Sequence, residues 1–246
     1  MSTHPFAVVG DSAALPAVVA WYARVSGGRA ALLPEVLPLH EPRDSWAAYA
    51  DRGGLGPPPR NSQVMMEVLL ASLDRSGAPA AAHGVMVATP PGAGFAPHAW
   101  RLRRGGFWLE DRRWVRRYAI VPADAPVGTV AHELGHLVFG WPDHDRRSRV
   151  GADCLMSTGA AASWPARPCA PSRLDAGWIE AVPATRTMTV AELADAGIVR
   201  SRKRLIELGP SGDVLVFEGR DLVARVGAEP GRPVLAVVAS ALSGTG

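Results

Sequence analysis

Three stretches of the chain carry apolar residues at helical spacing, each bounded by residues that start or stop helices. Over 12–26, Ser12 stands where a cap belongs, Pro16 falls in the first turns, and Gly27-Gly28 ends the run. Over 61–75, Asn61 or Ser62 can cap, and Val64, Val68 and Ala71 recur on one face. Over 126–139, Val127, Val130, Ala131, Leu134, Leu137 and Val138 are apolar nearly all round, so this helix is expected to be buried and to end near Phe139-Gly140. A shorter helix is read at Pro171–Trp178.

Between the helices the pattern turns to strands and loops. Ala30–Leu39 is apolar but broken by Pro34 and Pro38, which suits an edge strand. Gly84–Thr89 reads as a buried strand closed by Pro90-Pro91-Gly92, and 53–59 as a loop. The stretch 100–121 predicts a hairpin turning near Gly105-Gly106 and again near Glu110-Asp111. From 141 to about 170 the chain is irregular. Leu205–Leu208, Val214–Phe217, Leu222–Val226 and Val234–Val238 then give a β-rich finish.

Composition adds limits. The 246 residues are 48% hydrophobic, enough for one sizeable core or two subdomains sharing a cleft. Gly (26) and Pro (22) are frequent, which predicts short elements. Net charge is +3, and Lys203 is the sole lysine. Residues 101–117 hold seven Arg against Glu110 and Asp111, interleaved with Phe107, Trp108 and Trp114. A solvated arginine face on a hairpin is the reading adopted, over a nucleic-acid surface. The start lacks a basic segment followed by a clean apolar core, because Asp11 interrupts it. No uncharged apolar run spans a bilayer. The expectation is a soluble chain, cytoplasmic by default, with secretion by a route not visible in the sequence as the alternative. Cys154 and Cys169 match no zinc-ribbon spacing; one bridge and two buried thiols are both open.

The chemistry sits in His132-Glu133-Leu134-Gly135-His136. Residues four apart on a helix project from one face, so both imidazoles can reach one metal ion. Glu133 beside them can take a proton from a metal-activated water and pass it to a leaving amine. Two histidines and a glutamate on a buried helix need such a partner. A catalytic zinc wants a third protein ligand. In the return Trp141-Pro142-Asp143-His144-Asp145, Asp143 is the first choice, His144 the second, and Asp145 could orient an imidazole from outside. Glu180 and Glu192 are distant alternatives.

The run Ala131–Asp143 resembles the zinc-binding segment of the immune inhibitor A-like metallopeptidases, which are metzincin-type enzymes. Cys154-Leu155-Met156-Ser157 with Gly159 is similar to that family's methionine turn, and Leu174–Ile179 to its Leu-Gly-Trp-Ile segment. Trp21–Gly28 and Pro97-His98-Ala99-Trp100 resemble upstream segments. Two departures stand out. The family pattern places the glycine three residues and the aspartate six residues after the second histidine, whereas here Gly140 and Asp143 lie four and seven residues after His136. No tyrosine follows Tyr118, so His98 or backbone amides would serve the oxyanion.

The resemblance implies an α+β, metzincin-like zinc-peptidase domain. Residues 1–140 would form an upper α/β subdomain ending in the zinc helix, 141–182 an irregular lower subdomain with the Met-turn, and 183–246 a β-rich C-terminal part. The function implied is a zinc-dependent endopeptidase, with one catalytic Zn2+ on His132, His136 and Asp143 and Glu133 as general base. The alternative is a non-catalytic metal-binding or protein-interaction module on the same fold. The expected partner is a protein or peptide substrate, with no nucleic acid and no membrane; the oligomeric state stays open. The arginine-rich segment precedes the zinc helix, where it could favour acidic substrates.

Overall fold

The computed structural model describes residues 1–39, 44–50, 62–75, 84–102, 107–108, 114–144, 150–161, 164–184, 188–228 and 233–234. The chain divides into two compact units, Met1–Gly140 and Trp141–Gly246.

The first unit alternates strands and helices. In order they are β1 (Ser2–Val9), α1 (Leu15–Val25), β2 (Ala30–Leu37), α2 (Trp46–Tyr49), α3 (Ser62–Arg75), β3 (Val85–Thr89) and β4 (His98–Arg101). The two-residue strands β5 (Phe107–Trp108) and β6 (Trp114–Val115), then β7 (Arg117–Pro122) and α4 (Val127–Leu134), complete it. Five strands form one sheet in the order β2-β1-β3-β7-β4. The first four run parallel, and β4 pairs antiparallel to β7 at the edge. Parallel neighbours need crossovers, and α1 and α3 lie in those connections.

Strand β3 is buried at every position, as an apolar run covered on both faces should be. One core cluster joins Ala7, Val9, Val85, Val87 and Ile120 of the sheet to Met65, Met66, Leu69 and Leu70 of α3. The face of α3 that is buried is therefore the Met-Leu face; Val64 and Ala71 of the expected stripe are half-buried. Helix α1 begins at Leu15 without a side-chain cap, and buried Ser12 contributes its carbonyl to the Leu15 N–H instead of its hydroxyl. Among the described residues β2 ends the sheet on one side, which suits Pro34 within it. Strand β1 is an addition to the expected elements. Its Pro5 is tolerated because the Ala7 N–H donates to the Gly84 carbonyl on the β3 side, the Pro5 nitrogen faces the same side, and β3 pairs with β1 over Ala7–Val9 alone.

The second unit starts with single 3₁₀ turns at Gly151–Asp153 and Thr158–Ala161 and the short α5 (Ala170–Asp175). It finishes with β8 (Val182–Pro183), α6 (Val190–Ala196), β9 (Ile198–Ser201), β10 (Arg204–Leu208), β11 (Val214–Glu218) and β12 (Asp221–Val226). Strands β9 to β12 form an antiparallel meander, with β8 parallel beside β9. Leu193 of α6 packs on Val199, Ile206, Val214 and Val216. Buried Glu207 of β10 accepts from the Ala170 N–H at 2.6 Å and from Arg167 at 3.1 Å, and pairs with Arg173. That carboxylate fastens α5 to the sheet.

The expected loop at 53–59, both expected turns of the arginine-rich hairpin, Asp145, and all but Val234 of the last expected strand lie outside the described residues. No helix among the described residues is long and apolar enough to cross a membrane.

Candidate metal centre

Helix α4 follows Pro126 directly and buries Val130, Ala131, Glu133 and Leu134. It does not end as an α-helix. Gly135–Phe139 forms a π-helical turn, and the Gly140 N–H reaches both the Gly135 and His136 carbonyls. Such turns hold about one residue more than an α turn and recur at functional sites. The three residues between His136 and Gly140 are thereby held inside the widened helix. Gly140 then stops it at φ +69°, a left-handed conformation that favours glycine.

Neighbours fix this helix from three sides. The Tyr22 hydroxyl of α1 donates to the Ala131 carbonyl at 2.7 Å, and burial pushes the Tyr22 phenol well up from its ordinary range. Gly84, just before β3, leaves room for the Leu137 side chain that any Cβ would strike. Arg117 lies over Gly140, where a Cβ would stand 2.6 Å from its terminal nitrogens, and Nη1 donates to the Leu137 carbonyl at 3.5 Å. Burial, then the nearby Arg101 and Arg116 charges, lowers the Arg117 pKa. None of these supports was legible as a site residue, because each acts from a distant part of the sequence.

His132 Nε2 and His136 Nε2 face one another at 3.1 Å. Two nitrogens bound to one tetrahedral ion at their usual lengths stand ~3.3 Å apart, so the pair is already close to ligand spacing. Two imidazole nitrogens paired in this way suit zinc among the common protein-bound metals. Asp143, the first choice for third ligand, lies three residues past Gly140, in the unit Trp141–Gly246. Glu133, between the two histidines in sequence, is 6% exposed.

The other candidates go elsewhere. His144, the second choice for third ligand, has Nε2 3.0 Å from Cys169 Sγ. Its N–H donates to the carbonyl of fully buried Met156 at 2.8 Å, so the Asp143-His144 peptide lies against the methionine segment. Glu192 caps α6, accepting from the Thr189 N–H at 2.8 Å, and Glu180 is exposed. His98 is a structural histidine. Its Nδ1 is 2.7 Å from the Ala96 carbonyl, its Nε2 3.1 Å from Ser62 Oγ, and Ser62 Oγ 2.8 Å from the Tyr118 hydroxyl. One proton order satisfies this chain: Tyr118 donates to Ser62, Ser62 to Nε2, and Nδ1–H to the carbonyl. That order needs a neutral ring, and burial lowers the His98 pKa accordingly. Cys154 and Cys169 are buried and unbridged. Hydrogen bonding, first with Cys154, pushes the Cys169 thiol down, while burial pushes Cys154 up.

No protein-family model and no curated protein matches the chain. Among solved structures it is similar to the crystal structure of archaemetzincin from Methanopyrus kandleri, with a TM-score of 0.38 and 18% identity, covering 72% of this chain and 95% of that one. The chemistry therefore rests on the residues themselves.

Proposed function

We propose that this chain is a zinc-dependent endopeptidase of the metzincin type, related to the immune inhibitor A-like enzymes. The observation that carries the proposal is the pair of facing His132 and His136 nitrogens on the helix that also carries buried Glu133. His132, His136 and Asp143 would hold one zinc ion. Zinc in such a site acidifies water and polarises a carbonyl.

Glu133 is the general base. It takes a proton from the attacking water at its carboxylate and delivers it to the leaving amine nitrogen. Among the described residues β4 ends the sheet, and its outer edge would pair with an extended peptide, with main-chain hydrogen bonds supplying affinity.

The test is Glu133→Ala. The variant should keep its zinc at His132, His136 and Asp143 while peptide-library cleavage falls at least ~100-fold, the lower bound for general-base loss. Metal retained with cleavage equal to wild type would remove the catalytic claim. Absence of cleavage by either protein would favour the metal-binding interaction module.

A further inference from the structure

We infer that His144, Cys154 and Cys169 form a second metal site, a structural zinc centre within the unit Trp141–Gly246. Their ligand atoms all lie within 4.8 Å of one another, with both cysteines buried and His144 half-buried. His144 Nε2 stands 3.0 Å from Cys169 Sγ. An imidazole nitrogen and a thiolate on one tetrahedral ion are ~3.6 Å apart, so a side-chain adjustment of roughly half an ångström opens the site. The Cys169 N–H donates to Cys154 Sγ at 3.2 Å, the kind of outer contact that steadies a thiolate ligand. Ser172 Oγ, 3.7 Å from Cys169 Sγ and 1% exposed, or a water, supplies the fourth position.

The donors choose the metal. Two sulfurs and an imidazole favour zinc over the oxygen-seeking calcium and magnesium. On binding, each thiol loses its proton to solvent and the imidazole binds neutral, so the ion carries two thiolates. A Cys154–Cys169 disulfide would use the same sulfurs, but it would leave the His144 nitrogen against an atom with neither proton nor charge to offer. A metal uses all three side chains.

The location explains why an ion is wanted. Between Trp141 and Cys169 the described chain holds two single 3₁₀ turns and no longer element. Little regular hydrogen bonding fixes it. An ion on His144, Cys154 and Cys169 would clip its start, middle and end together, and structural zinc contributes folding free energy where cores are thin.

The test uses the full chain, reduced, stripped of metal and titrated with cobalt(II). Thiolate-to-cobalt charge transfer in the near-ultraviolet reports this site alone, because the site proposed on α4 has no sulfur. The absorption should appear, saturate at about one equivalent, persist in a His132→Ala/His136→Ala variant and weaken in His144→Ala. Zinc-purified protein should carry about two ions, and the double variant about one. Cobalt uptake by folded wild-type protein without that absorption overturns the second site while leaving the peptidase reading untouched. A Cys154–Cys169 disulfide that re-forms in the presence of zinc, seen as an intact mass lighter by two hydrogens, overturns it as well.

Discussion

The Tyr22 hydroxyl donates to the Ala131 carbonyl across 2.7 Å, linking α1 to the residue immediately before His132. Both residues are fully buried, so the bond has no competition from water. Tyr22→Phe should lower stability by about 1 kcal/mol, measured by urea unfolding at neutral pH. Tyr22 also predicts an alkaline limit. Its folded pKa is raised by burial, so the stability it contributes is complete below the unfolded value near ~10 and is lost as pH rises beyond that. The phenylalanine variant should show a shallower alkaline decline; equal slopes would rule this out.

His98 sets a limit on the acid side. Its folded pKa is lowered by burial, so the stability tied to the neutral ring is complete above the unfolded value near ~6.5 and is lost as pH falls below it. Unfolding free energies at pH ~7.5 and ~5.5 should differ more for wild type than for His98→Gln. A variant with an unchanged acid slope would mean that the ring titrates as freely in the folded chain as in the unfolded one.

Gly140 and Arg117 should behave as a coupled pair. Gly140→Ala places a methyl group against the guanidinium and strains a positive φ, costing roughly 1–3 kcal/mol. Adding Arg117→Ala removes the steric part and leaves the backbone part. A double-mutant cycle should give a coupling above ~0.5 kcal/mol, and simple additivity would mean the guanidinium yields without cost.

Asp143 is tested by exchange. Asp143→Ala should weaken zinc binding by more than the roughly 10–100-fold that loss of an outer-shell partner costs. Asp143→His, another zinc donor, should recover much of that loss in a chelator competition. Equal affinity of the alanine variant and wild type would exclude Asp143 as a ligand.

Glu207 holds α5 on β10 through two arginines and a backbone N–H. Glu207→Ala leaves Arg173 buried without its carboxylate and should cost about 3–5 kcal/mol, read as a lowered Tm.

Much of this could be read from local pattern. The period of 3.6 located α1, α3 and α4, prolines marked β2 as an edge strand, and Gly140 marked the helix end. Helix α6 was also within reach, because Thr189-x-x-Glu192 is a capping box formed in both directions, yet its surroundings read as strands. Strand β1 was hidden by a proline and a short apolar run. The π turn was not accessible, since over five residues its apolar spacing cannot be told from that of an α-helix. Nor were the Tyr22 and Arg117 supports, which are set by contacts 109 and 20 residues apart along the chain.

The π turn at Gly135–Phe139 also separates two quantities that sequence comparison tends to merge, the number of residues between donors and their distance in space. A helix that widens can store a residue sideways, so an insertion inside this motif need not move what comes after it. The converse should hold too. Removing Val138 should let the turn close to α-helical pitch with Gly140 still ending the helix.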